Sequence, residues 1–113
     1  MVTPPADWFP RRGEVYVAQL DKKRPIIVLS ADFLNRRSLN VSVVPLTSVE
    51  RRRFICRVPM GRGTAGLQRD SWAKCDGVVT LDKASVLFPP LGTVPARVMI
   101  EIEQAVKIAL DLP

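Results

Sequence analysis

The seven residues Arg24-Pro25-Ile26-Ile27-Val28-Leu29-Ser30 constrain this chain more than any other stretch. Four consecutive apolar side chains, three of them β-branched, favour a strand and leave no polar face for water. Such a strand is buried on both faces or crosses a small barrel. Pro25 has no N–H to donate, so it belongs at the strand's start, where it also holds Arg24 extended. The guanidinium is thereby presented from a stiff strand end. A second run, Val41-Ser42-Val43-Val44-Pro45-Leu46-Thr47-Ser48, has a similar layout and ends in two hydroxyls. If the two strands pair, Arg24 and Thr47 meet at one rim.

At 113 residues the chain is the size of one domain. No apolar run is long enough to cross a bilayer, and Pro4, Pro5, Asp7 and Pro10 interrupt any secretory signal. These features predict a cytoplasmic protein without a membrane partner, in which Cys56 and Cys75 stay reduced. The chain has no histidine and only these two cysteines, so neither a metal site nor a cofactor is expected. The missing histidine also excludes Ser-His-Asp and Cys-His catalysis. Acid–base work then falls to Arg, Lys, Asp, Glu, Tyr or a thiol. Seventeen Lys and Arg against eleven Asp and Glu give a net charge of +6, which favours a polyanionic partner.

In chain order, residues 1–10 form a Pro-rich arm that Trp8 and Phe9 can dock, and 11–113 form the domain. Strands are expected at Glu14–Leu20, Arg24–Ser30, Asn40–Thr47, Phe54–Val58, Ser71–Asp76 and Val78–Leu81. Asp21-Lys22-Lys23 makes a hairpin link, and Ala31–Arg37 a helical turn. Gly61-Arg62-Gly63-Thr64-Ala65-Gly66 matches the dinucleotide fingerprint in letters only. Pro59 precedes it and strand signals follow, so it reads as a hairpin loop. Asp82 caps a short turn that runs to Leu87, and Phe88–Gly92 closes that region. Thr93 is the expected N-cap of a terminal helix, with Pro95 in its first turn. Val98, Met99, Ile102, Val106, Ala109 and Leu110 form its apolar face, while Ile100 and Ile108 point elsewhere. Mostly β with one long helix, this pattern predicts an α+β fold: a small, partly open barrel with a helix packed against it.

Four motifs in this order resemble the MazF/PemK toxin family. They are Arg11-Arg12-Gly13-Glu14-Val15 with Arg24–Ser30, then Val43–Ser48, then Gly66-Leu67 with Ser71-Trp72, then Lys74-Cys75-Asp76 with Thr80-Leu81-Asp82-Lys83. The resemblance implies an SH3-like barrel of the CcdB/PemK type. It further implies a homodimer and a metal-independent endoribonuclease paired with an antitoxin that offers an acidic segment. The implied reaction on single-stranded RNA is attack by its own 2′-OH, leaving a 2′,3′-cyclic phosphate and a 5′-OH. By resemblance, Arg24 and Thr47 take the positions of the family's commonest catalytic pair, and Lys74 and Asp76 those used in one branch.

Residue chemistry agrees with that reaction. A guanidinium offers two N–H bonds in a fixed fork to a phosphorane-like transition state, and a threonine hydroxyl holds a non-bridging oxygen. Asp76 is a candidate acceptor of the 2′-OH proton, and Lys74 adds charge. Lys22, Lys23, Ser48, Arg51, Arg52, Arg53 and Ser71 are the candidate RNA-binding residues. Two rival readings keep the fold and drop the cleavage: a toxin that poisons a protein such as gyrase, and a non-catalytic nucleic-acid-binding barrel. The first relies on a C-terminal Trp-containing tail, whereas this chain ends Asp111-Leu112-Pro113. The second is usually marked by aromatic residues interleaved on its strands, and here they are few.

Overall fold

A computed structural model of the chain describes residues 2–49 and 56–113. β1 (Glu14–Gln19) and β2 (Lys23–Val28) form an antiparallel hairpin across a three-residue link. The short helix α1 (Asp32–Arg37) leads into β3 (Asn40–Thr47), which pairs with β2 in the register Ile26↔Pro45, Ile27↔Val44 and Val28↔Val43. Beyond the undescribed residues come β4 (Arg57–Met60), β5 (Ser71–Lys74), β6 (Val79–Asp82), β7 (Val86–Thr93) and the helix α2 (Ala96–Ala109). The strand order is β4-β5-β3-β2-β1-β7, with β6 also on β3. β4 and β7 stand at opposite ends of this path, so the sheet does not close into a barrel. No helix among the described residues is long and apolar enough to cross a membrane.

β3 is the spine. One of its edges carries β2, and the other carries β6 along Asn40–Val43 and β5 at Leu46–Thr47. The central run is buried on both faces, as its composition predicts, because it separates two cores. Val15, Ile27 and Val44 face a core closed by Val98, Met99 and Ile102 of α2. Tyr16, Ile26, Val28 and Val43 face a second core with Leu81 and Val86. Trp8 packs on this second core, edge-on to both Tyr16 and Phe88. Its indole N–H donates to the Tyr16 hydroxyl at 3.2 Å, which donates to Glu14 at 2.8 Å.

Four expectations change. The fourth strand runs Arg57–Met60, two residues past the expected end, with Cys56 in a turn before it; Phe54 and Ile55 fall outside the described residues. The Phe88–Gly92 segment belongs to an eight-residue strand, although it contains two prolines. β7 accommodates them because it is an edge strand, and its register with β1 shifts between Val15 and Val17. Thr93 ends β7, and Pro95 takes the N-cap position, because the Val94 N–H continues the edge by donating to the Gly13 carbonyl at 2.9 Å. Leu110 is the helix C-cap and is half-exposed, leaving Val98, Met99, Ile102, Ala105 and Val106 as the buried face.

Candidate active site

Extending the β2–β3 register by one pleat sets Arg24 opposite Thr47, and both side chains line the same two adjoining pockets. This is the meeting that the two apolar runs predict. Arg24 is half-exposed and contacts Asp21 across the hairpin, Nε to Oδ1 3.6 Å. The Asp21 carboxyl sits below its usual range because the Lys22 backbone N–H donates to it, with Arg24 adding a second donor. An exposed ion pair of this kind is weak, so an incoming phosphate can displace it. The Thr47 hydroxyl accepts from the Val49 N–H at 3.1 Å, which fixes its rotamer and leaves its own proton to donate.

The smaller pocket, about 440 Å³, brings Lys74 of β5 and Arg57 of β4 to the Arg24–Thr47 pair. Arg57 and Lys74 stand directly opposite each other in the β4–β5 ladder. Lys74 is held along its stem, since a Cβ placed on Gly77 would lie 3.1 Å from the lysine Cδ. No carboxylate lines this pocket among the described residues. Three cations and a hydroxyl on separate strands thus face one concavity, an arrangement suited to a phosphodiester. Asp76 is not among them. It is exposed on the turn that Gly77 closes by donating to the Lys74 carbonyl at 2.9 Å.

The larger pocket, about 680 Å³, gathers Lys22, Lys23, Ser48 and Ser71 on the other side of Arg24 and Thr47. Ser71 is nearly buried, and its hydroxyl donates to the Arg69 carbonyl at 3.1 Å, so it supports the wall more than it faces solvent. Arg51, Arg52 and Arg53 lie outside the described residues. Sequence reasoning did not single out Arg57, Gln68 or Arg69, all three of which line these pockets. The signal for Arg57 was its alternation with Cys56 and Val58, which turns it away from the core. Among the described residues, no group of three His, Cys, Asp or Glu side chains is placed to hold a metal ion.

Between Lys74 and Asp76, the Cys75 thiol is fully buried and pushed up to about 12, first by that burial and then by Cys56 and Asp76. It is a small core side chain and not a nucleophile.

The profile described as PemK-like, MazF-like toxin of type II toxin–antitoxin systems matches residues 11–110. The chain belongs to this family. Its members among the relatives include endoribonuclease MazF9 of Mycobacterium tuberculosis, 30% identical over 90% of this chain and 97% of the relative. Endoribonuclease MazF3 of the same organism is 30% identical over 87% and 92%. The fold agrees with that of a mycobacterial endoribonuclease solved in complex with its cognate antitoxin. That structure has a TM-score of 0.81 and 32% identity, covering 92% of this chain and 97% of the other. A MazE–MazF complex from Deinococcus radiodurans shares the fold at a TM-score of 0.81 and 22% identity, over 95% of this chain and all of the other. The open sheet with its packed terminal helix is therefore the toxin fold.

Proposed function

We propose that this chain is the toxin of a toxin–antitoxin pair and cleaves single-stranded mRNA, in a sequence-specific and metal-independent way. The observation that carries this reading is the convergence of Arg24, Thr47, Lys74 and Arg57 on one pocket that no carboxylate lines among the described residues. In the proposed reaction the 2′-oxygen of one nucleotide attacks the adjacent phosphorus while the bond to the 5′-oxygen breaks and that oxygen takes a proton from water. A 2′,3′-cyclic phosphate and a 5′-OH result. Negative charge grows on the non-bridging oxygens, where the Arg24 fork and the Thr47 hydroxyl donate and the other two cations add their field. The proposed part of Asp76 is to accept the 2′-OH proton, which requires the RNA to run along the β5–β6 turn.

The chemistry calls on side chains alone, and the chain has no histidine to supply an imidazole ligand. Purified protein is therefore expected to cut a long single-stranded RNA in EDTA and to leave cyclic phosphate ends. Loss of cutting in EDTA with rescue by magnesium would overturn the metal-independent reading. The partners proposed are an acidic antitoxin segment and a second copy of the chain. The +6 charge favours the first, and Ile100 and Ile108, exposed on the outer side of α2, favour an apolar contact. Light scattering should give twice the chain mass; a monomer at micromolar concentration would remove the dimer. A cytoplasmic location follows from the proposed substrate.

A further inference from the structure

The larger pocket combines cations, Lys22, Lys23 and Arg69 beside Arg24, with an apolar part that the smaller pocket shares only at its edge. Val17, Pro25, Leu67 and Leu91 supply its apolar lining. One wall is the 61–70 loop between β4 and β5, and that loop is braced along its length. The Arg62 N–H donates to Asp70 Oδ1 at 2.9 Å across its neck, and the Gly63 N–H donates to the Leu67 carbonyl at 2.8 Å. Its crown is pressed backbone to backbone on β7: a Cβ on Gly66 would lie 2.0 Å from the Leu91 carbonyl oxygen, and one on Gly92 2.5 Å from the Ala65 carbonyl carbon. Only glycine permits this approach, so the wall stands in place before any ligand arrives.

The braced loop carries Gln68 to the pocket's edge. Gln68 is exposed, and its amide makes no hydrogen bond within the described residues. Apolar lining with one carboxamide beside it, in a pocket that also carries Lys22, Lys23, Arg69 and the Arg24–Thr47 pair, suits an unstacked base whose phosphate the cations hold. We propose that the larger pocket seats the nucleobase next to the scissile phosphate and that Gln68 reads its edge. This rests on the cleavage reading above. The amide pairs its carbonyl with an N–H and its NH2 with a ring nitrogen, a pattern that adenine offers on two edges and cytosine on one, which favours adenine. Gln68 is thus a specificity-determining residue, and it takes no part in the chemical step.

The test is to sequence the 5′-OH ends produced from a randomised RNA pool by the parent, Gln68→Ala and Gln68→Glu. The expected parent motif carries adenine at one position beside the cut. In Gln68→Ala the adenine enrichment should fall about tenfold or more at that position alone, the discrimination of one bidentate base contact. In Gln68→Glu the preference should move to guanine, whose N1–H and N2–H both donate to a carboxylate. One motif shared by parent and Gln68→Ala overturns the proposal, as does a parent without adenine beside the cut. A parent that cuts no RNA at all overturns the cleavage reading instead.

Discussion

Arg57 and Lys74 face each other across the β4–β5 ladder, and both side chains reach the pocket that Arg24 shares with Thr47. Two like charges directly opposite on neighbouring strands oppose pairing, and an anion between them reverses the sign. Arg57→Ala and Lys74→Ala should each slow single-turnover RNA cleavage by roughly 10–100-fold, less than the loss of a donor on the transferring oxygen. The double variant should lose less than the product of the two, because both act on one phosphate. Parental rates in both single variants would place the phosphate elsewhere.

Arg24 should matter most. Arg24→Ala is expected to slow cleavage by roughly 10³-fold, between the loss of one oxyanion donor and that of an arginine finger. Arg24→Lys should rescue little, because a point charge does not reproduce the fork. Both variants should keep the parental unfolding midpoint, since the side chain is half-exposed and its one ion pair among the described residues is the weak one with Asp21. RNA affinity, read by filter binding at fixed salt, should fall only modestly.

Thr47→Ala removes one neutral hydrogen bond worth about 1–3 kcal/mol at the transition state, a cost of roughly 10–100-fold in the same single-turnover assay. Thr47→Ser keeps the hydroxyl and should recover most of the rate. If serine is as slow as alanine, the hydroxyl is not the group that acts.

Gly66 has φ of +78° and no room for a side chain against Leu91. Gly66→Ala should lower unfolding stability by roughly 2–4 kcal/mol, combining left-handed backbone strain with overpacking. Gly61→Ala, where a Cβ meets nothing, is the control and should leave the urea midpoint unchanged.

Alkaline pH should unfold the protein partly through Cys75. Its ordinary value is 9.0, and burial raises it to about 12 in the folded chain. Between those values the unfolded thiol loses its proton while the folded one keeps it. Stability is therefore full below pH 9 and falls as pH rises, by up to about 1.4 kcal/mol per unit. Tyr16 is shifted in the same direction, chiefly by burial and then by its hydrogen bond to Glu14. Urea midpoints measured across this range should fall less steeply for Cys75→Ala than for the parent.

Local pattern made much of this legible. β2 and β3 announced themselves because an apolar run without a polar face has few alternatives to a doubly covered strand, and Pro25 marked where β2 begins. The meeting of Arg24 and Thr47 followed from pairing those runs. β7 was hidden, since two prolines read as a break unless the strand is known to lie at an edge with an irregular register. Arg57 was obscured for another reason. Its place opposite Lys74 depends on a long-range register between β4 and β5, which no spacing within either strand records. Gln68 stood in a loop whose glycines resembled a different motif, and only their apposition to β7 shows what they brace.

The link between β1 and β2 is three residues, Leu20-Asp21-Lys22, tied by the Leu20 N–H donating to the Lys22 carbonyl at 3.2 Å. A hairpin so short has no chain with which to fold over the groove beside it. The β1–β2 link thus supplies no flap, and in the proposed reading RNA reaches Lys22, Lys23 and Arg24 without waiting for one to open. Capture from this side should then be governed by charge and diffusion, with an association rate that drops steeply as ionic strength rises.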